Sequence, residues 1–394
     1  LYLPFSLRRI RMMCISYSSL HAIEKAVIRQ MKLPFKTGFR TSFGTTVVKD
    51  FLLVELYDAE GRLGLGECSA FMRPWYNEET TVGARYVIRE FLLSELLRSE
   101  EIASPEAFFD QTAWIRRNRM ARSAVDCALW DLWSREKGIP EWRALGGTKN
   151  VIESGVSLGI EKSPAELLKT IEKYLGQGYR RVKCKIAPGF DLEYLRAARR
   201  EFGDIMLMAD ANSAYTLDDI DTFRAMDELD LLMIEQPLAS DDIVDHRHLQ
   251  AAIRTPLCLD ESVDSVDDAR RAIELGSCKV INIKVARVGG LTEARRIQEF
   301  AARHNVGCWC GGMVDAGVAR GHNIAVATLP NYVYPNDIPS SDRYYADDLV
   351  TPSTFIDREA HITASERPGT GFEPDWAVIE KHTVEKEVLT RADF

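Results

Sequence analysis

The sequence lacks several features that would point to particular classes of protein. It contains no uninterrupted apolar run of about 18 residues, which argues against a membrane-spanning helix. It has no basic excess, because 50 Lys and Arg stand against 59 Asp and Glu and the net charge is −9. That balance argues against a nucleic-acid partner. No glycine-rich dinucleotide fingerprint follows any predicted strand. The sequence therefore predicts a globular protein with neither a membrane nor a nucleic-acid partner.

The cysteines form neither a disulfide framework nor a zinc motif. Eight are present, mostly inside apolar stretches, as is typical of reduced thiols that act as small hydrophobic side chains. Cys308 and Cys310 lack zinc-ligand spacing and a second Cys or His pair. We therefore expect a cytoplasmic location. Residues 1–20 carry three arginines and no acidic residue, but without a cleavage-site pattern we interpret them as an extension before the first strand.

Apolar patterning divides the remaining chain into three parts. Residues 21–147 combine strand patterns with helical ones, including a helix from about 118 to 137, and predict a small α+β domain. Residues 148–344 alternate short apolar strands with amphipathic helices. Residues 345–394 contain no further strand–helix unit, and we expect them to return to the first domain.

The middle part has the pattern of a parallel α/β barrel. Its predicted strands alternate with helices that begin at capping sequences starting at Ser163, Thr216 and Ser265. A doubly wound sheet is the main alternative. The eight predicted strands are residues 155–159, 181–186, 205–209, 231–234, 257–259, 280–283, 307–310 and 332–334.

Charged residues recur at the ends of successive predicted strands. Lys185, Asp210, Glu235, Asp260 and Lys284 are separated by 25, 25, 25 and 24 residues, about the length of one strand–helix unit. A single acidic residue after a strand is usually a helix cap, and a single lysine is usually solvated. Five in register, with their charges in the order + − − − +, predict a shared site at the upper mouth of the barrel.

The order of charges predicts a reaction type. Three ionised carboxylates on adjacent strands need a cation between them, and their oxygens suit Mg²⁺ or Mn²⁺. A lysine on either flank would approach a small carboxylate substrate from opposite faces and exchange its α-proton. Lys183 lies two residues before Lys185 and should point to the same face. Glu261, next to Asp260, should point away by strand alternation.

These residues carry a resemblance to the muconate-lactonizing subgroup of the enolase superfamily. The resemblance spans about residues 20–390 and is closest to o-succinylbenzoate synthases and N-acylamino acid (N-succinylamino acid) racemases. The segments that carry it are Lys183-Cys-Lys185, Asp210-Ala-Asn212, Ile234-Glu-Gln-Pro237, Asp260-Glu-Ser262, Asn282-Ile-Lys284, Phe39-Arg-Thr-Ser-Phe-Gly44, Asn118-Arg-Met-Ala-Arg122, Gly155-Val-Ser-Leu-Gly159, Val285-Ala-Arg-Val-Gly-Gly290 and Trp309-Cys-Gly-Gly-Met313.

The resemblance implies a fold and a set of roles. The fold would be a modified TIM-type (β/α)₇β barrel with an α+β capping domain. Asp210, Glu235 and Asp260 would bind Mg²⁺, while Lys185 and Lys284, assisted by Lys183, would be the acid and base. The reaction would proceed through an enediolate, either as dehydration in menaquinone biosynthesis or as racemisation of N-succinylamino acids. We also expect a homo-oligomer.

The candidate substrate contacts lie in the first domain and at the barrel mouth. They are Tyr76, Ser157, Phe43, Asn212 and Asp315. Two positions depart from the family pattern: Asp315 replaces the usual glutamate near the seventh strand, and Asn336 replaces the usual glycine near the eighth. Both departures bear on the identity of the substrate.

Other functions stay open from the sequence. A dipeptide epimerase would show an acidic pair on the eighth strand, where only Asp337 stands, and a muconate cycloisomerase shares the same core residues. A Schiff-base aldolase could use Lys185 or Lys284 covalently, but it would leave the three carboxylates without a task. A non-catalytic metal-binding or scaffold protein would not need the paired lysines.

Overall fold

The computed structural model describes residues 19–41 and 44–394. Short strands alternate with helices through most of this range. The strands are β1 Leu20–His21, β2 Ile23–Thr41, β3 Gly44–Asp58, β4 Leu63–Cys68, β5 Glu101–Ile102, β6 Val151–Glu153, β7 Val156–Leu158, β8 Arg181–Lys185, β9 Met206–Asp210, β10 Ile234–Glu235, β11 Leu257–Leu259, β12 Val280–Ile283, β13 Gly307–Cys310, β14 Val350–Thr351, β15 His361–Thr363, β16 Glu373–Pro374 and β17 Thr383–Thr390.

The α-helices include one long helix in the first domain and a series that follows the barrel strands. A π-helical turn, Ile88–Leu93, joins the first two. They are α1 Thr81–Val87, α2 Ser94–Arg98, α3 Pro105–Gln111, α4 Arg119–Glu136, α5 Glu141–Ala144, α6 Pro164–Leu175, α7 Leu192–Phe202, α8 Ile220–Met226, α9 Val244–Ala252, α10 Val266–Leu275, α11 Val285–Val288, α12 Leu291–Arg303, α13 Gly317–Ala327 and α14 Trp376–His382.

The first domain is built on a four-stranded antiparallel sheet in the order β17-β2-β3-β4. β17 comes from the end of the chain and pairs with β2 over Lys25–Met31, so the last residues do pack on the first domain. Helix α4 lies against β4, where Gly64 and Gly66 allow the backbones to approach closely. The bounds 21–147, 148–344 and 345–394 stay predictions.

The second domain contains seven parallel strands in the sequential order β7-β8-β9-β10-β11-β12-β13. Sequential order without a reversal is that of a barrel rather than a doubly wound sheet, which has a switch point. Apolar side chains on the outside of these strands pack against the surrounding helices. This arrangement confirms the predicted α/β barrel fold with an added α+β domain.

The eighth predicted strand is not a regular strand. Residues 332–336 close the barrel through two single parallel bridges, Cys308 to Tyr332 and Ser154 to Asn336. Backbone hydrogen bonds from Gly155 N to Asn336 O and from Val333 N to Cys308 O complete the closure. Pro335 interrupts this stretch, and because proline has no N–H to donate, a continuous ladder cannot form there.

The predicted helix caps are present in three barrel helices. Ser163 accepts a hydrogen bond from Glu166 N, Ser265 accepts one from Asp268 N, and Thr216 accepts one from Asp218 N. These caps stop each strand–helix loop soon after the strand and so fix where the strand-end residues lie. Within the part of the chain that the structure describes, no helix has both the length and the apolar character to cross a membrane.

Candidate active site

A cavity of ≈ 340 Å³ opens at the carboxyl ends of the barrel strands, beneath the first domain. This is the size of a site for a small molecule. Three of the five residues in the charge ladder line it directly, namely Lys185, Asp210 and Lys284. Glu235 and Asp260 are fully buried next to them. The five side chains therefore belong to one site, as the spacing predicted.

One side of the site is a buried network around Lys183. Its Nζ atom lies 3.1 Å from Glu235 Oε2 and 3.3 Å from Asp210 Oδ2. Lys185 Nζ lies 3.1 Å from the same Asp210 oxygen, so both lysines point into the barrel, as strand alternation predicts. The ring of Trp309 supports Lys183 from below, with 5.0 Å between Nζ and the ring centroid.

The other side of the site is a network around Asp260. Its Oδ2 atom lies 2.8 Å from Lys284 Nζ, and its Oδ1 atom accepts from Arg287. Tyr76, from the first domain, places its ring 5.0 Å from Lys284 Nζ and its hydroxyl 3.3 Å away. The two predicted acid–base lysines thus stand at the end of β8 and directly after β12, on either side of the three carboxylates.

The prediction that Glu261 points away from the site is wrong. Glu261 lines the cavity, and its Oε1 atom accepts from Asn212 Nδ2 at 3.3 Å. Strand β11 ends at Leu259, so the alternation of a strand does not extend to Asp260 and Glu261, which lie in the following turn. Asn212 has a positive φ of 41° and lies between Lys185 and Glu261.

Burial and mutual repulsion perturb these carboxyl groups. Burial raises the pKa of Glu235 to about 7, with Lys183 opposing and Asp210 adding to the rise. Burial likewise raises the pKa of Glu261 to about 8, and repulsion from Asp260 adds to it. Asp210 behaves differently, since the nearby lysines hold its pKa below the usual range despite its burial. Such opposed shifts within one cavity are typical of functional sites.

The same residues fit a hard divalent cation in their chemistry. Four carboxylates meet at this end of the barrel, and Glu261 Oε2 is a buried acceptor without a hydrogen-bond partner. Their present arrangement is not that of a formed metal centre, because no group of three or more His, Cys, Asp or Glu side chains among residues 19–41 and 44–394 has ligand spacing. Asp210, Glu235 and Asp260 contact lysine or arginine side chains instead, so metal binding would exchange these contacts for metal contacts.

The predicted substrate contacts differ in their positions. Tyr76, Ser157, Asn212 and Asp315 all line the cavity, whereas Phe43 lies outside the described residues, as does nearly all of the extension 1–20. Ser157 Oγ donates to Asp337 Oδ2 at 2.6 Å. Asp315 Oδ2 accepts from Met313 N and Asn323 Nδ2, both at 2.9 Å. These contacts hold Ser157 and Asp315 in place at the cavity wall.

The second departure from the family pattern, Asn336, does not line the cavity. Its Oδ1 atom accepts from Cys310 N at 2.8 Å, and its Nδ2 atom donates to Glu153 O at 3.1 Å. Asn336 therefore uses its side chain to join β13 to the segment just before β7, where the eighth strand is irregular.

Sequence reasoning missed Arg287 and Arg343. Arg287 is fully buried and donates to Asp260 Oδ1 and to Asn282 O. Arg287 lies three residues after Lys284, which places it about one helical turn away in α11. A helix predicted at this position would therefore have placed Arg287 on the same side as Lys284. Arg343 lines the cavity from the short 3₁₀ helix Ser341–Arg343, and no pattern in the sequence places it there.

Comparison with known proteins agrees with this geometry. Residues 23–146 match the model for the mandelate racemase / muconate lactonizing enzyme N-terminal domain, and residues 166–378 match that for the enolase C-terminal domain-like family. The chain belongs to the enolase superfamily. Its enolase-superfamily barrel is the fold on which Lys185, Asp210 and Lys284 meet.

Curated relatives within the superfamily cover almost the whole chain. An o-succinylbenzoate synthase from Geobacillus kaustophilus is 48% identical over 92% of this chain and 96% of its own length. An N-succinylamino acid racemase from Thermus thermophilus is 45% identical over 92% of this chain and 97% of its own. A solved structure of an enolase-superfamily member from Listeria innocua has a TM-score of 0.92, with 40% identity, covering 94% of this chain and 100% of that one.

Proposed function

We propose that this chain removes the proton α to a carboxylate through an enediolate, as an o-succinylbenzoate synthase, an N-succinylamino acid racemase, or both. The observation that carries the proposal is the placement of Lys185 and Lys284 on opposite sides of three buried carboxylates in one cavity. One relative named as the synthase is 48% identical to this chain, and one named as the racemase is 45% identical. Dehydration would place the enzyme in menaquinone biosynthesis.

We propose that Asp210, Glu235 and Asp260 bind Mg²⁺, or Mn²⁺ in its place. When bound, the cation would offset the negative charge that develops on the substrate carboxylate during proton removal. The unpartnered Oε2 atom of Glu261 and the raised pKa of buried Glu235 support this assignment. A cation beside them would give the first a partner and would favour the ionised form of the second.

The chain's own residues would perform the proton transfers. In racemisation, an uncharged Lys185 amine takes the α-proton from one face while the Lys284 ammonium delivers a proton to the other. In dehydration, Lys185 takes the α-proton and passes it to the departing hydroxyl on the same face, so that water leaves, and the Lys284 ammonium stabilises the enediolate. Tyr76 would hold Lys284 in position through its ring and its hydroxyl.

Two assays test this proposal. The first follows conversion of the cyclohexadiene carboxylate precursor to o-succinylbenzoate by absorbance, and the second follows α-proton exchange of N-succinylamino acids in D₂O by NMR. We expect activity in at least one, abolished by exhaustive chelation and restored by Mg²⁺. The Asp210→Asn variant should be inactive, whereas Asp204→Asn, at an exposed position, should match the wild type. Full activity after chelation and in Asp210→Asn would refute the proposal.

The alternatives within the superfamily predict other substrates. A dipeptide epimerase would act on L-Ala-D/L-Glu but on no succinyl compound. Its substrate ammonium would need a free acidic pair, whereas Asp337 accepts from Ser157 and lies 3.8 Å from Lys183. A muconate cycloisomerase would act on neither class, and a Schiff-base aldolase would form an adduct that borohydride traps.

Location and assembly are proposals of their own. Cytoplasmic location is supported by the seven cysteines of the described part, all buried and without disulfide partners, as in reducing compartments. Cell fractionation tests it. The expected homo-oligomer is a prediction that light scattering of the purified protein would decide.

A further inference from the structure

A strained turn forms part of the cavity wall. Val314 lines the cavity and has a φ of +50°, in the left-handed region. A β-branched residue rarely adopts this conformation, because its side chain crowds the backbone. Such a conformation persists only when surrounding contacts hold it.

Two donors from outside the barrel hold the Val314 carbonyl oxygen. Lys49 Nζ, on β3 of the first domain, donates to it at 3.2 Å. The Tyr345 hydroxyl, on the chain that follows the barrel, donates to it at 2.5 Å. Tyr345 is itself bound to the first domain, since it forms a backbone bridge to Phe35 and stacks on that ring with 5.2 Å between centroids.

The helix that follows the turn also receives its cap from the first domain. Helix α13 begins after Ala316, which has no side chain able to cap it. Glu67, on β4, accepts hydrogen bonds from Ala316 N at 3.3 Å and from Ala319 N at 3.2 Å. A carboxylate at a helix N-terminus satisfies unpaired amides and the positive end of the helix dipole. Glu67 forms an ion pair with Lys49, and both side chains are almost fully buried.

We propose that Lys49, Glu67 and Tyr345 act together as a positioning unit for the active site. Two of them belong to the first domain and Tyr345 is anchored on it, so that they hold the turn Gly312–Asp315 and the start of α13. They thereby set the shape of the cavity wall that faces the substrate. Asp315, whose oxygen is hydrogen-bonded inside this turn, depends on them for its place. That these residues hold the turn is independent of the proposed function, whereas the consequence for substrate binding rests on it.

The Tyr345→Phe variant tests the unit by removal of one hydroxyl. We expect faster amide hydrogen exchange at residues 313–319, measured by mass spectrometry, with unchanged exchange in strands β8–β10. In the racemase assay KM should rise about three- to tenfold, with kcat within about twofold of wild type, because the variant alters one hydrogen bond at the substrate-binding wall. The matched control is Tyr57→Phe, which removes a hydroxyl bonded to Glu55. This control should leave both the amide exchange at residues 313–319 and the KM unchanged.

Variants of the ion pair test the unit from the other side. Lys49→Met leaves Glu67 as a buried unpaired charge and could unfold the protein, so the double variant Lys49→Met with Glu67→Gln is used beside it. We expect the double variant to fold and to show fast exchange at residues 316–319. Lys49→Arg, which keeps the charge, should restore slow exchange.

A cycle with Val314→Gly separates strain from general packing. Glycine adopts positive φ without crowding, so Tyr345→Phe should accelerate exchange at residues 313–319 less in the Val314→Gly background than in the wild type. Equal effects in both backgrounds, or unaltered exchange in Tyr345→Phe, would overturn the positioning unit. If the wild type processes no succinyl substrate, the proposed function fails while the exchange data still decide the structural claim. Faster exchange in Tyr345→Phe without a change in KM would overturn the role of the positioning unit in substrate binding.

Discussion

Lys284 Nζ lies 2.8 Å from Asp260 Oδ2, so a predicted acid–base lysine is in direct ion-pair contact with a predicted metal ligand. Burial alone would lower the pKa of Lys284, but Asp260 and the other acidic groups around it together outweigh burial and hold this pKa above its ordinary value. A bound cation would therefore compete with the ammonium for the same carboxylate.

This competition predicts that Lys284→Met binds metal more tightly than the wild type. The substitution removes a positive charge that would repel the metal ion. It also removes the ion pair that Asp260 would have to break in order to bind that ion. Binding of Mn²⁺, measured by electron paramagnetic resonance, should show a lower Kd, although racemisation is lost. Lys279→Met, at an exposed position, is the control. Equal or weaker Mn²⁺ binding in Lys284→Met would contradict the competition.

The two lysines should serve opposite faces of the substrate. We expect Lys185→Ala and Lys284→Ala each to reduce racemisation by about 10³-fold or more, because each removes one acid–base group. Each variant should still exchange the α-proton of one enantiomer of an N-succinylamino acid in D₂O, and the two should differ in which one. NMR of each pure enantiomer gives the result. Loss of the same enantiomer's exchange in both variants would rule out the two-face arrangement.

His322 predicts a pH dependence of stability away from the active site. Its Nδ1 atom lies 2.9 Å from Glu141 Oε1, and its Nε2 atom lies 2.9 Å from Leu65 O, so both nitrogens donate only in the charged ring. Burial opposes the charge, but Glu141, Asp131 and the Leu65 carbonyl together outweigh burial and raise the pKa of His322 from 6.5 to about 9. Because the pKa of His322 is higher in the folded state than in the unfolded state, the protonated ring stabilises the fold. This contribution to the free energy of unfolding is complete below pH 6.5 and is lost as pH rises towards 9.

Urea unfolding at several pH values checks this dependence. The free energy of unfolding should fall by about 2–3 kcal/mol between pH 6.5 and 9 in the wild type, and this slope should flatten in His322→Gln. His248→Gln, at an exposed position, should keep the wild-type slope. A slope that survives in His322→Gln would assign the dependence to other groups.

Gly66 predicts a stability effect inside the first domain. A Cβ atom at this position would overlap the backbone oxygen of Ala124 in α4, so the helix would have to move away from β4. We expect Gly66→Ala to lower the free energy of unfolding by about 2–3 kcal/mol. Gly176→Ala is the comparison, because its Cβ would meet only ordinary contacts at 3.4 Å and its φ of −63° suits alanine. Similar stability of the two variants would contradict the close-packing argument.

Much of the fold followed from local patterns. The strand and helix periods gave the barrel, and caps such as Ser163 and Ser265 appeared where the sequence placed them. The eighth strand was less predictable, since Pro335 leaves an apolar stretch that closes the barrel without a regular ladder. The site showed the same limit: alternation correctly placed Lys183 beside Lys185, but it failed for Glu261 because the strand had already ended.

The sequence by itself determined which charged residues share the barrel mouth, because a repeat of about 25 residues puts each at the same place on its own strand. Only the tertiary structure decided which of them touch, and it paired Lys185 with Asp210 and Lys284 with Asp260. It also decided that Glu67 caps α13 from another domain. Contacts between residues 249 positions apart depend on how the domains pack, and no local periodicity records that packing.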